Sequence, residues 1–220
     1  MDQPITRRDQ RREAILHIAG EVFSDEGYAA ASMSTIAARV GGSKATLYNY
    51  FPSKEALFEA HIRKMCGRFA NITAELSQDR PVEEVLTELG ERFVEHVNSD
   101  EAVRNFQILV GEARRAPELA RLFYQVGPAV GLERIGRYLE DAKARGAIDP
   151  PDCALAAAQF LAQCRGDRHL RLVLNLDAKP SPDETRREVA SAVAMFMAAY
   201  GAKGGLGSGV RASPADARIE

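Results

Sequence analysis

An all-α fold is predicted by three features of the chain. Alanine, leucine, arginine and glutamate are abundant while runs of β-branched residues are scarce, a balance that favours helix over strand. Apolar residues recur at three- and four-residue spacing through most of the length. Turn clusters, Asn98-Ser99-Asp100, Pro117, Asp149-Pro150-Pro151 and Pro180-Ser181-Pro182, fall between those periodic segments. An apolar share of 45% over 220 residues is ample for a core. No apolar run approaches the roughly 20 residues needed to span a bilayer. The opening MDQPITRRDQRREA lacks the apolar stretch of a signal peptide, so a cytoplasmic protein without membrane contact is expected.

Taken in order, residues 1–9 read as a frayed arm carrying Arg7 and Arg8. Gln10 to Glu26 is the first helix, with Ile15, Ile18, Ala19, Val22 and Phe23 on one face and Gly27 as its C-cap. Arg11 and Arg12 lie near its start, within reach of a phosphate or simply solvated. Ser32 caps a second helix whose inward positions are Met33, Ile36, Ala37 and Val40. Gly41 and Gly42 end it. Ser43 caps a third helix running through Lys44, Ala45, Thr46 and Leu47 to Tyr50, which must stop before Pro52. Three such helices are the smallest set that buries those stripes together, and the second and third form a helix-turn-helix.

The window Gly27–Lys54 contains no Asp or Glu, although the whole chain has a net charge of −2; its only charges are Arg39, Lys44 and Lys54. A surface free of carboxylates approaches a polyanion without repulsion, and hydroxyl and amide side chains are ordinary donors to phosphate oxygens. Nucleic acid is the expected partner, and a helix-turn-helix makes it double-stranded DNA. The helix beginning at Ser43 would enter the major groove with Lys44, Ala45 and Thr46 toward the bases, while Leu47 points inward. Ser32, Ser34 and Thr35 head the preceding helix and would present hydroxyls and backbone N–H groups to a phosphate, unless Ser32 is held as a cap.

The run Gly42-Ser43-Lys44-Ala45-Thr46-Leu47-Tyr48-Asn49-Tyr50-Phe51-Pro52-Ser53-Lys54-Glu55-Ala56-Leu57 resembles the signature of the TetR family of bacterial transcriptional regulators, and so does the lead-in from Arg12 to Ala38. The resemblance implies phosphate contacts by Tyr48 and Asn49, a part-packing role for Tyr50 and Phe51, and a phosphate-clamping role for Lys54. Gly42 departs from the family, which places an apolar residue there; the loss of a small contact would loosen the turn.

Ser53 caps a fourth helix expected to reach Ser77, with Leu57, His61, Met65 and Phe69 along one face. In the family this helix joins the two domains. The expected division is therefore a DNA-binding domain over 1–52, a connecting helix over 53–77, a ligand-binding and dimerisation domain over 78–202 and a disordered tail over 203–220. Further helices are read at 81–97, 100–114, 117–145 with a kink or split at Gly127-Pro128, 151–176 and 183–201. The stretch Phe106 to Gly166, with Glu112, Pro117-Glu118-Leu119, Phe123-Tyr124 and Gly146-Ala147-Ile148-Asp149-Pro150, also resembles the C-terminal domain of the AefR-like subgroup.

That resemblance implies a pocket for a small-molecule effector. Phe93, His96, Phe106, Phe123 and Tyr124 are candidates for its walls, and Gln159 and Gln163 for its polar fixing points. It also implies a homodimer through the last two helices, for which Ala156, Phe160, Cys164, Val193, Phe196 and Met197 are the candidate contacts, and hence an inverted-repeat operator. The implied activity is that of a repressor released by its effector. Control by a protein partner is a second reading, to be recognised by a pocket filled with its own side chains. A helical enzyme with a vestigial DNA module is a third, against which stands the absence of a nucleophile elbow, phosphate loop or metal motif. The three cysteines, Cys66, Cys153 and Cys164, and four dispersed histidines suggest neither a disulfide framework nor a metal site, and no cofactor is expected.

Overall fold

The computed structural model of the protein describes residues 6–202. The expected tail over 203–220 lies outside them. Those residues fold into helices α1 (Arg7–Ala30), α2 (Met33–Val40), α3 (Lys44–Tyr50), α4 (Lys54–Ile72), α5 (Val82–Val97), α6 (Asp100–Glu112), α7 (Pro117–Val126), α8 (Pro128–Ala144), α9 (Cys153–Arg165), α10 (Arg168–Val173) and α11 (Pro182–Tyr200), with no strand among them. None of these helices is long and apolar enough to cross a membrane.

The first helix starts earlier than its apolar period. Thr6 and Asp9 form a reciprocal capping box, so Arg7 and Arg8 are helical rather than part of a frayed arm. At the other end Gly27 takes φ +77 and breaks the helix in the interior of the span, and a last short turn carries Tyr28 onto the core. The cap serines act at the expected places: Ser32, Ser43 and Ser53 accept from the backbone N–H of Thr35, Thr46 and Ala56.

Two expected helices change, and the split expected at Gly127-Pro128 is found. Helix α4 ends at Ile72 instead of Ser77, where the Thr73 hydroxyl turns back to the carbonyls of Phe69 and Ala70 at 3.1 and 3.2 Å. The long third segment is two helices, since Gly127 leaves helical geometry and Pro128 starts α8. The span 151–176 is also two helices, because Gly166 adopts φ +55 between α9 and α10. Past α11, an antiparallel bridge of Ile148 with Gly201 ties the end of the last helix to the α8–α9 connection.

Two buried cores result. One joins α1–α4 and is completed by Leu109, Ala116 and Leu119 of the α6–α7 region. The other fills the space among α5, α8, α9 and α11, with Phe69 from the end of α4. Helix α4 is thus rooted in both: Leu57, Phe58 and Ile62 belong to the first and Phe69 to the second. Cys153 and Cys164 both lie on α9 and are buried as free thiols, as is Cys66.

Candidate nucleic-acid interface and a neighbouring cavity

The turn between α2 and α3 is built locally. Gly41 takes the left-handed conformation, and the N–H groups of Gly41 and Gly42 return to the carbonyls of Ala38 and Ala37 at 3.2 and 3.1 Å. Arg11 reaches from α1 to donate to the Val40 carbonyl at 3.2 Å, so the C-terminus of α2 is held by a charge it attracts. Gly42 stands beside that guanidinium: a Cβ there would come within 3.2 Å of it. The turn missing an apolar residue at 42 is therefore braced from α1 instead.

Only Leu47 of α3 is buried, and it fixes the rotation of the helix on the core. That rotation leaves Ser43, Lys44, Ala45, Thr46, Tyr48 and Asn49 exposed, with Ser34 exposed and Ser32 and Thr35 half-buried at the head of α2. Ser32 is held as a cap and its hydroxyl also pairs with that of Thr35 at 2.9 Å; Ser43 and Thr46 repeat the arrangement at 2.9 Å. Tyr50 is half-buried and Phe51 buried, and the guanidinium groups of Arg8 and Arg12 lie over their rings at 5.9 and 5.2 Å. The first turns of α1 therefore set a basic group beside the exposed face of α3, which the period of α1 alone did not reveal.

The cations of the carboxylate-free window have unequal surroundings. Arg39 is paired with Asp25 at 2.7 Å and Glu26 at 3.5 Å. Lys54 donates to the carbonyls of Tyr28, Ala29 and Ala31 at 2.8, 3.3 and 3.1 Å and sits 4.5 Å from the centre of the Tyr28 ring. It therefore closes the C-terminal end of α1 over the start of α4. Lys44 is exposed and forms no ion pair among the described residues. Burial, with Glu55 beside the ring, pushes the Tyr28 hydroxyl up to about 12.

Behind this surface lies a cavity of about 270 Å³. Helix α4 gives it Met65, Cys66 and Phe69; α5 gives Phe93, His96 and Val97; α6 gives Ala102 and Phe106. The α7–α8 junction contributes Phe123, Gly127, Pro128 and Leu132, and the far wall is Ala158, Leu161, Ala162, Arg165 and His169. Glycine makes two close approaches possible: a Cβ on Gly127 would meet the Cys66 sulfur at 2.7 Å, and one on Gly131 would lie 2.0 Å from the Phe69 ring. Phe69 in turn packs at 5.4 Å from Phe93 and lies parallel to His96 at 6.4 Å.

Four of the expected wall residues, Phe93, His96, Phe106 and Phe123, meet in this cavity. Tyr124, Gln159 and Gln163 do not. Tyr124 is 56% exposed, Gln159 accepts a hydrogen bond from the Tyr200 hydroxyl at 2.9 Å, and Gln163 faces solvent. The polar groups on the cavity are instead His96, His169 and Arg165. His169 Nδ1 pairs with the buried Asn98 side chain at 3.0 Å, and burial lowers the pKa of both imidazoles. A third histidine, His61, is buried one α4 turn away and joins Asn105 of α6 at 2.9 Å. Burial pushes the Cys66 thiol up to about 11 and Cys164 up to about 12, so both remain protonated and apolar in character. No group of metal-ligating side chains occurs among the described residues.

Ala156, Phe160, Cys164, Val193, Phe196 and Met197 point into the protomer's own core, the first five fully buried and Met197 half-buried. The expected dimer contacts are therefore spent within one chain and are not free for a second. Among the residues that α9 and α11 leave exposed are Leu155, Ala162, Ala190, Ala194, Met195 and Ala198, an alanine-rich set with Gln159, Gln163 and Arg165 exposed on α9 and Asp183, Arg186 and Arg187 at the start of α11.

Residues 15–61 match the model described as bacterial regulatory proteins, tetR family, and residues 84–202 match that of the AefR-like transcriptional repressor, C-terminal domain. The HTH-type transcriptional regulator UidR of Escherichia coli (strain K12) is 30% identical over 155 residues, covering 68% of this chain and 75% of that one. Among solved structures, a TetR-family regulator from Mesorhizobium loti superimposes with a TM-score of 0.79 at 26% identity, over 89% of this chain and 99% of the other. The flavonoid-responsive regulator FrrA superimposes at 0.75 with 31% identity, over 88% and 98%.

Proposed function

The chain belongs to the TetR family of bacterial transcriptional regulators with a DNA-binding helix-turn-helix, and on that premise we propose that it is a homodimeric repressor released from an inverted-repeat operator by a small molecule. The division of labour is 1–52 for DNA, α4 as the connection, and 78–202 for effector and dimer, in a cytoplasmic protein. Major-groove contacts fall to Lys44, Ala45 and Thr46, and phosphate contacts to Ser34, Thr35, Ser43, Tyr48 and Asn49, with Tyr50 beside them. Lys54 contributes by holding the end of α1 in place. The exposed alanine-rich face of α9 and α11 carries the dimer contact, since an apolar face of that kind gains by being covered.

One observation supports the release step above the others: the cavity wall is formed by α4, the helix whose first turn follows the recognition helix. An effector that fits better when the far half of α4 stands away from α6 and α8 favours that position and moves the recognition helix with it. The shift in operator affinity equals the effector's preference between the two arrangements. An open cavity also favours a small molecule over a protein partner as the signal, because control by a partner needs no space in the core.

The test is titration of the purified protein against labelled DNA from its own upstream intergenic region, at stated salt, with competitor DNA. Specific, salt-sensitive binding by a dimer is expected, and Lys44→Ala and Tyr48→Phe weaken it while the dimer survives. Losing Lys44 lowers the salt slope by about one if it meets a phosphate. Unchanged binding in both variants would remove α3 from the recognition role.

A further inference from the structure

The cavity has an unusual chemical inventory for its size. An apolar cavity of about 150 Å³ holds one benzene ring. At about 270 Å³ this one takes a ring with a short side chain. Its walls include four phenylalanines, Phe69, Phe93, Phe106 and Phe123, which suit the face and edge of a flat ring better than a coiled alkyl chain.

Not one carboxylate lines it, and its single formal charge is Arg165. That guanidinium lies exposed at the last turn of α9 and makes no ion pair or side-chain hydrogen bond among the described residues. Arg168, three residues on, differs: it is held by Glu188 at 2.7 Å and Glu184 at 3.5 Å. A cationic ligand would meet Arg165 and no counter-charge. An anionic one would find a planar fork suited to a carboxylate. Inside, the His96 ring makes no hydrogen bond among the described residues, and His169 spends only Nδ1 on Asn98, so a phenol or carbonyl group has partners at depth.

Resting on the reading of the cavity as the effector site, we propose that it takes a small aromatic carboxylate of roughly ten to fifteen non-hydrogen atoms, with its ring among the phenylalanines and its carboxylate at Arg165. The imidazoles of His96 and His169 receive the polar substituent at the far end of the ring. Selectivity then has two parts, charge at the mouth and flatness within.

Calorimetric titration of the full-length protein without DNA tests this with four probes: 4-hydroxycinnamate, its methyl ester, tyramine and decanoate. The acid binds about tenfold more tightly than its ester, as a solvent-exposed charged hydrogen bond predicts, and more tightly than decanoate, while tyramine does not bind. Arg165→Gln brings acid and ester to near parity by weakening the acid alone, and Ala102→Trp, which projects a ring into the cavity from α6, away from the α9 and α11 surface, abolishes both while the dimer survives. Ester binding as tight as acid binding, tyramine binding, decanoate outcompeting the ring, or no binding by any probe would each overturn the assignment. Operator release is scored separately. An acid that binds without loosening DNA keeps the ligand assignment and sinks the release reading. An ester or amine that releases DNA does the reverse.

Discussion

The two halves of α4 live in different surroundings. From Leu57 to Ile62 the inner face of the helix is packed into the first core: Leu57, Phe58, His61 and Ile62 are buried, Phe58 meets the rings of Phe23 and Tyr28 at 4.9 and 4.6 Å, and Lys54 locks the start of the helix to three carbonyls. From Met65 to Phe69 the same helix borders the cavity. A stiff half joined to a half beside empty space is how one helix moves as a lever: displacement enters where partner atoms are missing and is carried, undiminished, where every side chain is held.

The most severe way to test the stiff half is Phe58→Ala. Removing a buried aromatic ring from a closed core costs about 3–5 kcal/mol. For a chain of this size that lowers the melting temperature by on the order of 10 °C. DNA binding falls with it, because Phe58 packs α4 on Phe23 of α1. A loss under about 1 kcal/mol, read by denaturant titration, would mean that this half can also repack and is no rigid arm.

Gly131→Ala tests the soft half. The added Cβ overlaps the Phe69 ring far more closely than ordinary contact allows, at 2.0 Å, yet the ring has the cavity to swing into. The expected cost is about 1–3 kcal/mol, less than for Phe58→Ala, and the cavity shrinks. The check pairs melting with titration of whichever small molecule the wild type binds. Destabilisation as large as that of Phe58→Ala would show that the space around Phe69 does not yield.

Lys54→Ala removes about 1–2 kcal/mol as three carbonyls lose a charged donor, a drop of a few degrees in the melting temperature. A surface lysine whose only task is a phosphate would leave melting unchanged and lower operator affinity alone. Both readouts together tell whether the family's phosphate-clamping lysine has become a structural one in this chain.

What the sequence disclosed follows from how local each signal is. Ser32, Ser43 and Ser53 announce their helices because a cap acts on residues three positions away, and Gly41 ends α2 by its own backbone conformation. The partners of Lys54 are more than twenty residues distant, so nothing in the string of letters pairs it with Tyr28, Ala29 and Ala31. In α9 and α11, alanines surround the helices so evenly that the sequence does not separate inward from outward faces, and Phe160 and Phe196 lie in the chain's own core. Among the cavity residues, the aromatics Phe93, Phe106 and Phe123 stood out by type. Arg165 and His169 did not, because their place depends on the break at Gly166, invisible as long as 151–176 reads as one helix.

The smallest effect is spread over pH and again contrasts the two halves. His61 belongs to the closed half, with Asn105 as partner and Glu101 and Lys64 nearby; His96 borders the cavity with Arg68 and Glu101 nearby; His169 faces it beside Arg165. Burial lowers the pKa of all three below the ordinary 6.5, so the unfolded chain binds protons more tightly than the folded one. Stability is therefore at its plateau above about pH 6.5 and falls as the pH drops through and below that value. Melting at pH 7.5 and 5.5 measures the loss. His96→Gln reduces it by removing one of the three groups, at little cost at pH 7.5 because that ring has no hydrogen-bond partner among the described residues. An acid sensitivity that His96→Gln and His169→Gln together leave untouched would place the whole effect in the other half, at His61. The cavity histidines would then be wet enough to take up a proton without strain, and the contrast between a dry half and a yielding half of α4 would have to be redrawn nearer to the DNA.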